Sequence, residues 1–408
     1  MDPFSKFVRR KEETPVKIKV ALSLSPPVEL HSTSKSPHSP FFFLNLAPKS
    51  KLKPRRSLQS PMRSYLKVLA YGIGGVAVVG LAALVALQEK MVYVPALPGL
   101  PRSYSFTPAR LRLDYEDVWL TSQDGVRLHS WFVKHSPPVK GPTILFFQEN
   151  AGNIAHRLEF IRVMLQRLEC NVFMLSYRGY GESDGYPSQH GIIKDAQAAL
   201  DHLTKRDDID TSRIVVFGRS LGGAVGSVIA RNNPDKVSAL IMENTFTSIL
   251  DMAVSCRVML PFLKWFIGSS ASTGPKFLNF LVRSPWSTID IVAEIKQPIL
   301  FLSGLQDELV PPFHMQMLYD KAREHNDRCL FVDFPSGMHM DTWLSGGDRY
   351  WRTIQLFLEQ YASEKQEIKL SHKVDGNNET FCTLKKMNVS HSEKITKRQG
   401  SALKMPKM

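Results

Sequence analysis

Six short apolar runs, Thr143 to Phe147, Asn171 to Ser176, Ile214 to Phe217, Ala239 to Met242, Pro298 to Ser303 and Cys329 to Phe334, alternate with longer helical patterns. Runs this short and this continuously apolar fit strands buried on both faces. Their alternation with helices points to an α/β chain built on a mostly parallel central sheet with helices on both faces. Helices are expected over Gly191 to Leu203, Leu221 to Arg231, Pro312 to Arg323 and Tyr350 to Tyr361. Ahead of them, Val118 to Leu120 and Val126 to Val133 flank Asp124-Gly125, a turn signal for an antiparallel hairpin. Residues 245–292 break the alternation and read as an inserted, mainly helical cap.

A second constraint lies upstream. Val68 to Leu87 are 20 consecutive uncharged residues. As a helix rising about 1.5 Å per residue, they match the ~30 Å hydrocarbon core of a bilayer. Lys67 closes one end and Glu89-Lys90 the other, with Tyr65 and Tyr93 at interfacial positions. A buried core helix seldom runs this long without a charge, and no small-x-small cleavage site follows. Residues 62–92 are therefore read as a single-pass transmembrane anchor whose partner is the lipid bilayer, and residues 93–362 as the folded domain. Lys49, Lys51, Lys53, Arg55, Arg56, Arg63 and Lys67 precede the helix, whereas only Lys90 and Arg102 follow it closely. That bias places the N-terminus in the cytosol and the folded domain across a plasma membrane or endomembrane. Ala70/Gly74 and Ala82/Ala86 have small-xxx-small spacing but form no Gly-x-x-x-Gly, so they specify no oligomer.

The net charge of +14 is unevenly divided. Residues 1–61 hold 12 Lys+Arg against 4 Asp+Glu, and residues 363–408 hold 10 against 5. The 301 residues between them hold 30 against 29. Basicity belongs to the two ends, which are expected to be disordered, and a nucleic-acid partner for the folded part is excluded. Four scattered cysteines with no Cys-x-x-Cys pair propose neither a disulfide framework nor a zinc site.

Immediately after the Ile214 run comes Gly218-Arg219-Ser220-Leu221-Gly222, opening a helical pattern. Strand, sharp turn and helix are the setting of a nucleophile elbow, in which glycines either side of the serine relieve crowding and let Oγ project at the sheet edge. A serine hydroxyl needs a base to take its proton and an acid to orient that base. Asp307 follows the Pro298 run, 87 residues beyond Ser220, and His339 follows the Cys329 run, 32 residues further. Glu243, at the end of the Ala239 run, is an alternative partner for the histidine, though Asp307 sits in a better-formed loop. Glu308 and Asp341 read as solvent-facing or capping. The oxyanion hole is expected from two backbone N–H groups, that of Leu221 and that of Asn150 in the loop after the Thr143 run. No metal or organic cofactor is implied.

FFQENAGNIAHRL (146–158), SYRGYGESDG (176–185), VVFGRSLGGAV (215–225), FLSGLQDELVPP (301–312) and FPSGMHMDTW (334–343) together resemble the membrane-anchored branch of the α/β-hydrolases. That branch includes the animal alpha/beta-hydrolase domain protein 13 and the plant wavy-growth-type, bud-emergence-like proteins. The resemblance spans roughly 62–361 and implies a serine hydrolase, with Ser220, Asp307 and His339 at the family's triad positions. One departure stands out: where many relatives have His-Gly, this chain has Gln148-Glu149. Glu149 could point away from the reaction, select a cationic group, or oppose the developing oxyanion and slow acyl transfer. The leading expectation is hydrolysis of an ester or acyl thioester, the substrate being an ester, a lipid or an acylated protein. The alternative is a catalytically weak scaffold on the same fold. Two apolar cap stretches, Met259 to Ile267 and Phe277 to Val282, would pack on the sheet, line an acyl pocket or touch the bilayer.

Overall fold

Each of the six apolar runs is a strand in the computed structural model, which describes residues 59–137, 141–255 and 282–363. The expectations for almost all of both terminal stretches, for Met259 to Ile267 and for all but the last residue of Phe277 to Val282 lie outside the described residues. The strands are β3 (Thr143–Phe147), β4 (Asn171–Leu175), β5 (Ile214–Arg219), β6 (Ala239–Glu243), β7 (Ile299–Gly304) and β8 (Cys329–Phe334), all pairing in parallel. Before them, β1 (Asp114–Thr121) and β2 (Arg127–Lys134) form the antiparallel hairpin, and β2 runs antiparallel to β4. The order across the sheet is β1-β2-β4-β3-β5-β6-β7-β8. In the hairpin turn the Ser122 N–H donates to Val126 O (2.8 Å), and Gly125 takes the positive φ of +82° that the turn demands.

The helices are α1 (Gln59–Val92), α2 (Leu158–Leu168), α3 (Gln189–Leu203), α4 (Leu221–Asn232), α5 (Ile249–Ser255), α6 (Thr288–Val292), α7 (Phe313–Arg323), α8 (Thr342–Ser345) and α9 (Gly347–Tyr361). Alternate residues of each parallel strand feed two separate cores. Leu145, Phe147, Val216, Leu240 and Phe301 join the core built with α3, α4 and α7. Ile144, Phe146, Phe217, Ile241 and Leu302 join the one built with α2 and α9. Full burial of such a side chain contributes about 1.5–3 kcal/mol. Within 245–292, α5 and α6 lie among the described residues.

The chain divides at Leu66/Lys67 into two units; the contacts below all belong to the second, Lys67–Met408. Helix α1 extends beyond the uncharged run at both ends. Its segment Ser64–Val92, 29 residues with a mean hydropathy of 2.3, is long and apolar enough to cross a bilayer, and its apolar window is 0% buried, unlike a core helix. Tyr93, the residue that follows α1, packs into the domain. It is 2% exposed inside the domain, and its hydroxyl accepts from Trp286 Nε1 (2.9 Å).

Candidate active site

Between the end of β5 and the start of α4 there is a single residue, Ser220. The chain turns so sharply there that Ser220 takes φ +54° and ψ −118°, a conformation that costs a side-chain-bearing residue about 1–3 kcal/mol. The surroundings impose it. The Ser220 N–H donates to Glu243 O at the end of β6 (2.8 Å), and the Gly223 N–H returns to Ser220 O (3.0 Å). A Cβ at Gly218 would stand 2.1 Å from Gly222 O, and one at Gly222 would stand 1.9 Å from Phe147 O. The first turn of α4 thus lies directly on the end of β3, and only glycine permits that approach. Leu221 is the first helical residue, so its N–H has no acceptor within the helix and lies at the positive end of the α4 dipole.

Asp307 stands in the loop between β7 and α7. Its Oδ1 accepts the N–H groups of Leu309 (2.9 Å) and Val310 (2.7 Å), while Oδ2 lies 2.8 Å from His339 Nδ1. A carboxylate can only accept, so Nδ1 carries the proton and Nε2 is left as the basic nitrogen. Both side chains are buried. Glu308 Oε2 accepts the His339 N–H (3.1 Å), and Asp341 Oδ1 accepts the Met338 N–H (2.8 Å), so both acids hold the histidine loop in place.

Asn244, which sequence reasoning missed, joins these pieces. It follows β6 at φ +47°, and its Oδ1 accepts the Gly304 N–H (2.8 Å). Its Nδ2 donates to Met338 O (3.1 Å), His339 O (3.1 Å) and Thr342 Oγ1 (3.0 Å). The signal was an asparagine directly after an apolar strand, a residue type that tolerates the left-handed region. The adjacent Glu243 O receives the Ser220 N–H, so the strip Glu243-Asn244 ties the serine backbone to the histidine backbone. Among the described residues Ser220 Oγ makes no hydrogen bond. The structure therefore joins Asp307 to His339 directly and Ser220 to them through this strip.

Beneath the serine lies a buried ionic cluster. Glu149 pairs with Arg157 Nε (2.5 Å) and with Arg219 Nη1 (3.1 Å); Arg219 Nε reaches Glu243 Oε2 (2.9 Å), which also accepts from the Tyr350 hydroxyl (2.9 Å). Burial alone would raise the Glu149 pKa, but the Arg157 and Arg219 guanidiniums outweigh it and hold that carboxyl below its ordinary range. For Glu243 burial wins, and its pKa is raised despite Arg219 and Tyr350. Of the roles open to Glu149 in the sequence, its charge is directed to guanidiniums of its own chain. Glu243, the alternative partner for the histidine, faces Arg219 and Tyr350 instead. Arg219 stacks over Phe160, 4.1 Å from the ring centroid. As the variable residue inside Gly-x-Ser-x-Gly, it gave no pattern to read.

In the loop after β3, the Asn150 side chain reaches the end of α1, with Nδ2 donating to Val92 O (2.8 Å). Its carbonyl accepts from the Val94 N–H (2.9 Å) and the Tyr180 hydroxyl (2.7 Å). Its N–H, like that of Leu221, has no acceptor among the described residues. No group of three or more His, Cys, Asp or Glu side chains converges as a metal site among them.

Comparison with known proteins fits this architecture. The prolyl oligopeptidase family model matches residues 187–365. The chain is 72% identical over 306 residues to the alpha/beta hydrolase domain-containing protein WAV2 of Arabidopsis thaliana, covering 75% of this chain and 98% of that one. It is 38% identical over 306 residues to protein bem46 of Schizosaccharomyces pombe, covering 74% and 96%. It is 33% identical over 294 residues to an uncharacterized membrane protein of Saccharomyces cerevisiae, covering 72% and 96%. Among solved structures, the Pyrococcus furiosus esterase Pf2001 aligns with a TM-score of 0.52 at 20% identity, over 66% of this chain and 100% of that one, a likeness of fold alone. The chain belongs to the α/β-hydrolase family of WAV2 and bem46, within the serine hydrolase superfamily.

Proposed function

We propose that this α/β-hydrolase is a membrane-anchored serine hydrolase that cleaves a carboxylic ester or thioester through an acyl-enzyme on Ser220. His339 Nε2 takes the Ser220 proton as Oγ attacks the carbonyl carbon, and Asp307 holds the imidazole in that tautomer. The negative charge on the tetrahedral oxygen falls to the N–H groups of Leu221 and Asn150. His339 then gives its proton to the departing alkoxide or thiolate as that bond breaks. A water molecule repeats the sequence on the acyl-enzyme, releasing the carboxylic acid and restoring Ser220.

The observation that carries this reading is the strained Ser220, seated at the edge of the sheet where His339 is already paired to Asp307. The Gln148-Glu149 departure was the ground for a weak scaffold, and it loses force once the Glu149 charge is met by Arg157 and Arg219. A bilayer-resident lipid or an acylated protein is the substrate class that suits a hydrolase joined to an apolar helix. The N-terminus is placed on the cytosolic side, with the hydrolase domain opposite. Turnover of p-nitrophenyl esters and acyl thioesters by purified full-length protein tests the chemistry: Ser220→Ala should lose on the order of 10⁴-fold or more. Retained turnover in that variant would refute the acyl-enzyme.

A further inference from the structure

The anchor helix and the oxyanion loop are bolted together. Val92, the last residue of α1, has its carbonyl capped by Asn150 Nδ2 (2.8 Å). Two residues on, Val94 bridges the same loop, donating to Asn150 O (2.9 Å) and accepting from the Gly152 N–H (2.9 Å). Between them Tyr93 is buried against Trp286, and one turn earlier Gln88 Oε1 accepts the Arg283 N–H (2.8 Å). No linker separates helix from domain, so the domain cannot rise from the membrane as it could on a flexible tether.

The distances then place the loop. From Leu87, where the uncharged run ends, to Val92 is five residues, or about 7.5 Å along a helix. The polar layer outside the hydrocarbon core is about 5–8 Å thick on each side. Asn150, in hydrogen-bond contact with Val92, therefore lies at the membrane surface when α1 spans the bilayer. The C-terminal ends of β3, β5, β6, β7 and β8 share one sheet edge because those strands are parallel. β7 and β8 stand three and four strands from β3, about 14–19 Å away.

On that edge, around the acid and base loops, Leu305, Leu309, Phe313, Met338 and Leu344 stand exposed, Leu344 at 62%. The opposite edge is different: a hollow there is lined by Lys236, Lys296 and Arg328 against one acid, Asp235, all exposed, with Lys236 paired to Asp201 (2.9 Å). An apolar rim on the edge carrying the helix exit and a basic rim on the far edge give the domain one orientation.

We infer that the C-terminal edge of the sheet is a bilayer-docking surface, on which Leu305, Leu309, Phe313, Met338 and Leu344 enter the interface and through which the site takes an acyl ester whose chain lies in the membrane. This rests on α1 being inserted and, for the ester, on the hydrolase reading above. The test uses the full chain in phosphatidylcholine vesicles, with Cys256→Ala and Cys382→Ala and one nitroxide at Phe313→Cys, Leu344→Cys or, on the far edge, Lys236→Cys. Labels at 313 and 344 should collide with oxygen more than with a water-soluble nickel chelate, and the label at 236 should show the reverse. Labels at 313 and 344 that behave like 236, or that are shielded from both reagents, would overturn the docking surface. For the ester, Phe313→Glu combined with Leu344→Glu should cut turnover of vesicle-borne p-nitrophenyl palmitate by about tenfold or more, while p-nitrophenyl acetate stays within about twofold. Equal losses on both would overturn the interfacial substrate. Wild type inert on both esters would strike the hydrolase reading, with the spin labels still deciding the surface.

Discussion

The two halves of the site are held by different physics. The Ser220 half, at the junction of β5 and α4, is placed by backbone contact: Gly218 on Gly222, Gly222 on Phe147, and a serine with no relaxed conformation to occupy. The His339 half, at the ends of β7 and β8, is placed by side-chain hydrogen bonds from Asp307, Glu308, Asp341 and Asn244. Close packing fails abruptly because atoms cannot interpenetrate. A hydrogen-bonded loop fails by degrees, because each bond is worth about 0.5–1.5 kcal/mol net.

Four changes would break or sharpen that contrast. The largest effect is expected from Gly222→Ala, whose methyl must displace Phe147 O; ester turnover should vanish and thermal unfolding should report a loss of about 3 kcal/mol or more. Asp307→Asn keeps the packing but presents an amide to His339 Nδ1, so kcat/KM should fall on the order of 10³- to 10⁴-fold with the unfolding midpoint little changed.

A smaller effect concerns pH. His314, buried at the start of α7 with Nδ1 2.9 Å from Thr247 Oγ1, has its pKa pushed down by burial to about 4, although Asp251 and Asp307 act to raise it. A group with a depressed folded pKa contributes its full stability above its unfolded pKa of about 6.5 and loses it as pH falls toward 4, here about 3 kcal/mol. Denaturant titrations from pH 7 to 4 should show that decline, and His314→Asn should flatten it. The smallest change is Asn244→Ala, which removes the tie between the serine and histidine backbones. About tenfold in kcat/KM, with KM for a small ester unchanged, is expected.

The fold was legible because the parallel strands are apolar runs, and burial on both faces is what such a run requires; β3 to β7 are buried throughout, whereas β8, at the sheet edge and carrying Asp333, is half-buried over Leu330 to Asp333. The loops holding Ser220, Asp307 and His339 were legible as positions after strands, since turn chemistry and strand ends are written locally. Their interconnection was not. Asn244 and Tyr350 act through partners roughly a hundred residues away, and no local pattern encodes such contacts. Arg219 occupies a position the motif leaves free. Glu149 looked like a threat to the oxyanion because its neighbours in sequence carry no charge to meet it, whereas Arg157 and Arg219 arrive from other elements. The packing of Tyr93 against Trp286, 193 residues on, likewise has no local signal.

Activation of Ser220 as a nucleophile by His339 is the step on which the proposed hydrolysis depends. The direct measurement is labelling of the full chain in membranes with a fluorophosphonate, followed by peptide mapping. The expected result is an adduct on the peptide carrying Ser220 that disappears in Ser220→Ala and in His339→Ala. A folded wild-type protein that takes no label, or takes it at another residue, would contradict it.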